Sequence, residues 1–376
     1  MHSSSKRILS IDVARGLVML LMTVDHVRET FFLQHQVSDP MDVAATSPGL
    51  FFSRLAAHFC APMFVFLTGL SAWLYAHPAG GTRPAGGFLA RRGLFLVLLE
   101  IVFVNFAWTG TFAPATLYLQ VIWAIGLAML ALALLHRLPL AVLAALGLAI
   151  VGGHNALAGL SFEPGGAAAY AWTVLEQRGF LTDGAPRVKI SYPVLAWIGV
   201  ILLGYACGPL YARAMSPSLR QRRLVLGGAA CLALLAVLRT WNVYGEPLPW
   251  RVQEDALRTA MAWLNFTKYP PSLDFLLLTL GCGLPVLAWL ERADNAFTRA
   301  CGVFGGAPLF YYLLHLYALL AMQRAAAALL GAERVDVMYV WEVWVLAAGL
   351  AAALYWPTRA FGRYKRESGK GWVKYL

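Results

Sequence analysis

Apolar runs of roughly 20 residues, the length a helix needs to cross the hydrocarbon layer of a bilayer, recur ten times along this chain. They fall at approximately 8–27, 49–76, 92–110, 113–135, 138–157, 190–211, 224–243, 272–290, 306–331 and 340–360. In lipid no water is present to satisfy the backbone, so such runs must close their hydrogen bonds internally, as helices or as a sealed barrel. The runs are too long and too continuous for alternating barrel strands. Composition agrees: 60% of residues are hydrophobic and 13% charged, against about 45–50% and about 25% in a soluble domain. Disordered, collagenous and disulfide-stapled classes are excluded as well. The five cysteines lie far apart and show neither metal spacing nor a disulfide framework, so no metal is expected. The expected fold is all-α: one polytopic transmembrane helix bundle of about 10 spans, occupying residues 1–376 as a single domain.

The net charge of +11 has to be weighed against loop position. With ten spans both termini share a side. That side collects 18 of the 30 Lys and Arg, including Arg91, Arg92, Arg220, Arg222, Arg223, Arg292, Arg299 and the tail from Arg359 to Lys374, while 8 fall on the other. Cytoplasmic loops concentrate Lys and Arg, so both termini are expected in the cytoplasm. The basic balance is then a topology signal, and nucleic acid is not a partner. The first run is no cleavable leader, because Asp12 and Arg15 interrupt it. Connections on the basic side are short. Three on the other side are long (28–48, 158–189 and 244–271), and the last has amphipathic spacing at Trp250, Val252, Ala256, Leu257, Met261 and Leu264 that predicts a surface helix.

Charges inside a span are costly, about 2.5–3.5 kcal/mol each on insertion scales, so each needs a partner or a task. The first span carries Asp12, Arg15, Asp25 and His26. At 100° per residue Arg15 and His26 fall within about 20° of one another, on one face and about 16 Å apart along the axis. Asp12 precedes Arg15 by three residues and can pair with it. Asp25 points about 100° away from His26 and is not expected to orient that imidazole. In the second span Arg54 and His58 are one turn apart. The two spans run oppositely, so His26, Arg54 and His58 are expected at similar depth. The bland alternative is an internal Asp12–Arg15 pair with locally bonded histidines. Glu100, Asn105, Gln120, Asp274 and His315 are further polar intrusions. Lys268, in Lys268-Tyr-Pro-Pro-Ser272, stands at the mouth of the eighth span, where it could hold an anion or a lipid head group.

Several blocks resemble the heparan-alpha-glucosaminide N-acetyltransferase catalytic-domain family. They are Ser10-Ile-Asp-Val-Ala-Arg-Gly-Leu17, His58-Phe-Cys-Ala-Pro-Met-Phe-Val-Phe-Leu-Thr-Gly69, the run from Tyr192 to Tyr205, Lys268-Tyr-Pro-Pro-Ser-Leu273 and Pro308-Leu-Phe-Tyr-Tyr-Leu-Leu-His315. Arg15 and His26, ten residues apart in between, are also similar to the Arg–ten–His pattern of integral membrane acyltransferases that decorate surface polysaccharides.

The resemblance implies a transmembrane O- or N-acyltransferase that carries an acetyl or other acyl group from cytoplasmic acyl-CoA to an extracytoplasmic acceptor, typically a sugar or glycan. A multi-pass protein of the cell inner membrane follows as the expected setting. The partners are then acyl-CoA, the acceptor and the lipid bilayer, with a homodimer left open. Catalysis is expected from His26 or His58, with an imidazole suited to taking the acceptor's proton near neutral pH, and from Arg15 and Arg54. Arg54 or His58 would stabilise the oxyanion. Asp12, Arg15, Lys268 and His315 are the candidate acyl-CoA contacts, with Arg91 and Arg92 as candidates for its phosphates. Direct transfer and an acyl-histidine intermediate both remain open. A proton-coupled transporter of small anions or lipid-linked sugars would use the same buried charges, and a structural or sensory membrane protein leaves their cost without a reason.

Overall fold

A computed structural model of the chain describes residues 9–33, 35, 41–78, 81–182 and 184–376. Lys6 and Arg7, two of the 18 basic residues on the side expected to be cytoplasmic, and part of the 28–48 connection lie outside the described residues. About 70% of the molecule is helical. In chain order the helices are α1 (Leu9–Phe31), α2 (Pro48–His58), α3 (Cys60–Ala76), α4 (Gly86–Leu99), α5 (Asn105–Thr109), α6 (Val121–Leu135), α7 (Leu140–Gly153) and α8 (Ala167–Leu175). There follow α9 (Leu195–Ala206), α10 (Pro217–Trp241), α11 (Ala256–Trp263), α12 (Leu273–Leu290), α13 (Ala296–Gly306), α14 (Pro308–Leu330) and α15 (Val340–Glu367).

Among the described residues six helical stretches are long and apolar enough to cross a membrane: Pro48–Ala76, Leu140–Leu157, Pro217–Trp241, Leu273–Leu290, Pro308–Leu330 and Val340–Glu367. Each overlies an expected span. The other four expected spans have a different character. α1 is 23 residues long, but its five charges leave at least three in any window of membrane length. Residues 92–110 fall on α4 and α5, joined by a π-turn at Glu100–Val104. The run 190–211 contains a shorter apolar helix, Leu195–Tyr211. Residues 113–135 do not form one helix, because Thr116–Leu119 is a strand and only Val121–Leu135 is helical.

That strand belongs to a small sheet within a mostly helical molecule. β1 (Thr116–Leu119) pairs in parallel with β3 (Arg187–Ile190), whose other edge takes β2 (Gly179–Phe180) in antiparallel sense, giving the order β1-β3-β2. The register sets Thr116 opposite Arg187 and Leu119 opposite Ile190. The Thr-Leu-Tyr-Leu run of β1 suits a pleated surface, and its partner lies about 70 residues on, beyond the reach of a local pattern.

The chain divides into two compact units, the first comprising residues 61–248 and 266–288 and the second residues 9–60, 249–265 and 289–376. In the first unit several buried polar groups find partners. Glu100, at the π-turn, accepts from the Ile122 and Trp123 amides at 3.1 and 3.2 Å, capping the start of α6. A π-turn aims one extra residue off the regular helical face. Asn105 uses it to donate to the carbonyls of Glu100 and Tyr118 while accepting from the Tyr118 amide at 2.7 Å, so α5 and β1 are tied together. His154 and Glu176 form a fully buried pair at 2.9 Å. Glu246 gathers the Thr267 amide and hydroxyl, the Ser272 hydroxyl and the Leu248 amide.

The second unit contains α1, α2, α11, α13, α14 and α15. Ser47 caps α2 with Pro48 in its first turn, and a capping box at Asn295 starts α13. α11 forms inside the predicted amphipathic stretch, capped by Asp255 and burying Met261 and Ala262. A core of Val24, Val27, Phe31, Leu50, Leu319, Val343 and Ala347 packs α1, α2, α14 and α15 together. The tightest approach is between α1 and α13. A methyl on Gly16 would stand 1.8 Å from the Cys301 carbonyl oxygen, and one on Gly305 1.7 Å from that of Asp12. Backbone meets backbone there, as small residues permit between membrane helices.

Candidate active site

α1 and α14 bring His26 and His315 together. His26 Nδ1 and His315 Nε2 are 2.7 Å apart. Their ring planes lie within 16° and the centroids 5.0 Å apart, the arrangement of an in-plane N–H···N bond. His315 is fully buried, and its Nδ1 lies 2.8 Å from the Tyr311 carbonyl oxygen one turn back along α14. A carbonyl only accepts, so His315 Nδ1–H is the donor. In the neutral ring its Nε2 is therefore an acceptor and takes the Nδ1–H of His26. The basic nitrogen of a neutral His26 is thus Nε2.

The rest of α14 reinforces this contact. Thr23 Oγ1 donates to the Met19 carbonyl at 2.9 Å, which uses its one proton, so the Tyr311 hydroxyl donates to Thr23 at 2.9 Å. Tyr312, itself buried, sets its ring edge-on to His26 with centroids 5.9 Å apart. At the far end of the same helix pair, the Gln323 amide donates to the Thr30 and Val335 carbonyls. Three turns of α1 are therefore stitched to α14 by polar groups. His26 is half-buried while His315 behind it is sealed off, so the pair has an accessible member and a buried one.

Asp25, next to His26 on α1, is engaged by arginines. It accepts from Arg54 at 2.7 and 2.9 Å and from Arg28 at 2.8 and 3.1 Å. Arg28, 3% exposed, reaches Glu29 at 2.8 Å as well. Two guanidinium groups and two carboxylates thus balance each other where α1 faces α2. Deeper along α1, Arg15 pairs with the buried Asp12 at 3.3 Å, as their spacing predicts. His58 is buried as the last residue of α2, and the thiol of Cys60 just beyond it donates to the Val18 carbonyl.

Nine residues were singled out from the sequence as catalytic or acyl-CoA contacts; Arg91 and Arg92 fall on α4 in the first unit, which leaves seven. Six of them, Asp12, Arg15, His26, Arg54, His58 and His315, belong to the second unit, where His26 and His315 touch directly and Arg54 joins them through α1. Lys268 belongs to the other unit, largely buried, with its Nζ 5.3 Å from the Tyr269 ring centre. Tyr311, Tyr312 and Thr23 were not anticipated. Their signals were spacings, Tyr311 four residues before His315 and Thr23 three before His26, each one helical turn away, and the place of Tyr311 and Tyr312 inside the Pro308–His315 block.

Residues 7–250, that is 244 of 376, match the sequence profile of the family described as heparan-alpha-glucosaminide N-acetyltransferase, catalytic. The chain belongs to this family. No curated protein matches it. Membership implies an acetyltransferase, hence an acyl donor and an acceptor, and the apolar helices make it a membrane protein. Asp12, Arg15, His26, Arg54 and His58 all lie inside the matched stretch, whereas Lys268 and His315 lie beyond it.

Proposed function

We propose that this chain is a multi-pass acyltransferase of the cell inner membrane, taking an acetyl or other acyl group from cytoplasmic acyl-CoA to a sugar or glycan acceptor on the far side. Both termini face the cytoplasm, and residues 1–376 act as one catalytic domain. The family profile supports that domain reading, since it draws on both compact units. The observation that carries the proposal is the His26–His315 bond, which sets the basic nitrogen of a half-buried imidazole.

In the reaction the acceptor oxygen or nitrogen attacks the thioester carbonyl while His26 Nε2 takes its proton. The tetrahedral adduct then expels the coenzyme thiolate, which recovers that proton from the imidazolium. Throughout, His26 keeps its Nδ1–H on His315, so positive charge arriving on the ring already has a hydrogen-bond acceptor in place. Arg15, braced by Asp12, would line the donor's passage, and Lys268 would meet an anionic group at the mouth of its span. The Arg54–Asp25 pair holds α2 against α1 at the depth of His26, with His58 beside it on α2.

The test is transfer from labelled acetyl-CoA by the purified protein in detergent. His26→Ala is expected to lower the rate roughly 10²- to 10⁴-fold, the usual worth of a positioned base, with the protein still folded. Full activity in that variant would remove His26 as the base.

A further inference from the structure

Three arginines from two helices meet around one hollow in the second unit. Arg299 on α13 and Arg359 and Arg366 on α15 line a cavity of about 190 Å³, together with Leu9, Gly302 and Gly362. Arg359 and Arg366 are seven residues apart, two helical turns, and so project from the same face about 10 Å from one another. Gly362 stands between them on that face. With no side chain there, the space between the two guanidinium groups stays open; a methyl on Gly362 would lie 3.6 Å from Arg366 Nη1.

Two of the three charges around this hollow, those of Arg359 and Arg366, have no opposite charge beside them among the described residues. Arg359 lies over the Trp356 ring, 5.2 Å from its centre, and neither it nor Arg366 has a carboxylate partner among the described residues. Arg299 has Asp294 at 2.8 Å, but both side chains are more than half exposed, where such a pair contributes little. Arg299 also sits in the first turn of α13, the end at which the helix dipole disfavours a cation and favours an anion. All three arginines are exposed, so solvent screens their mutual repulsion, and the hollow keeps a net positive charge that favours an anion. Cytoplasmic-side arginines are ordinary as topology signals, but those need no shared cavity and no glycine floor.

We infer that this pocket binds a phosphate-bearing group. Guanidinium forks match phosphate oxygens bidentately, and the volume suits one or two phosphates better than a complete small-molecule ligand, for which pockets run to about 300–1,000 Å³. Two sources present this chemistry to a membrane protein's basic side: the phosphates of a soluble coenzyme or nucleotide, and the head group of an anionic phospholipid. The inference stands apart from the acyl-transfer proposal, because binding is read without turnover.

The experiment compares the wild type with Arg359→Gln/Arg366→Gln and with Arg359→Lys/Arg366→Lys, all in nanodiscs. One arm titrates coenzyme A into neutral-lipid discs. The other measures retention of phosphatidylglycerol by native mass spectrometry. In one of the two arms the glutamine variant is expected to bind roughly tenfold or more weakly, with the lysine variant between, because it keeps charge and loses the fork. A loss confined to coenzyme A assigns a soluble phosphate ligand, and a loss confined to the lipid assigns a head group. Unchanged binding in both arms, from variants whose thermal unfolding matches the wild type, would overturn the site.

Discussion

Arg54 on α2 grips both carboxylate oxygens of Asp25 on α1, at 2.9 and 2.7 Å. The two side chains are only 11% and 13% exposed, and the contact bridges 29 residues of chain. Together with the packing of Leu50 on Val24, Val27 and Phe31, this ion pair holds α2 beside the stretch of α1 that carries His26.

Removing one partner of a pair this sheltered leaves the other charge desolvated, which typically costs about 3–5 kcal/mol. Asp25→Ala should therefore be strongly destabilising, because it strips a carboxylate from Arg54 and Arg28 together. Arg54→Gln should cost less, since Asp25 retains Arg28. Thermal unfolding of the purified variants should rank them in that order, and Asp25→Asn/Arg54→Gln should recover part of the loss. Equal and small effects would mean that solvent already screens the pair.

His315 is expected to act through His26 rather than on substrate. His315→Ala should lower kcat roughly 10- to 100-fold, less than loss of the base itself, with KM for acetyl-CoA nearly unchanged. His315→Gln should restore part of that rate, because its amide oxygen can accept from His26 Nδ1. A rise in KM with kcat intact would instead place His315 on the coenzyme.

Gly16 and Gly302 make a matched pair of tests. Gly16→Ala drives a methyl to 1.8 Å from a carbonyl oxygen, whereas Gly302→Ala meets only Leu9 and Val13 at 3.5 and 3.8 Å. Overpacking typically costs about 1–3 kcal/mol and more where backbone must yield. The first variant should lose most of its folded yield in membranes, and the second should melt at or above the wild-type temperature, helped by better helix propensity.

On β3, burial first, and then the neighbouring Arg178 and Arg187, lower the pKa of Lys189 from 10.5. A lysine depressed in the folded state penalises folding while it is charged there. That penalty is fully present below the folded pKa and is relieved as pH rises toward the unfolded value near 10.5. Stability should therefore climb over that alkaline window, and Lys189→Met should flatten the climb while raising stability at neutral pH. Melting curves across pH 7–11 would check it; an unchanged slope in the variant would assign the dependence elsewhere.

Much of the helical architecture was legible because apolar length is a local property. The runs at 138–157, 272–290 and 306–331 reappear nearly residue for residue in the helical stretches Leu140–Leu157, Leu273–Leu290 and Pro308–Leu330. Helical angle alone joined Asp12 to Arg15. What escaped were relations between distant segments. Nothing near Thr116 announces that Arg187 will pair with it, and a four-residue strand is lost inside a longer apolar run. The His26–His315 bond spans 289 residues, and two histidines on separate amphipathic faces give no sign of facing each other. Tyr311, whose carbonyl decides the tautomer, contributes its backbone, which no side-chain pattern can advertise.

The glycine seam between α1 and α13 bears on how any substrate could enter. Helices locked carbonyl-to-Cα can neither slide nor roll past one another without collision, so the segment holding His26 is the stator of this machine. A crosslink freezing α1 to α13 should therefore leave acetyl transfer from labelled acetyl-CoA intact.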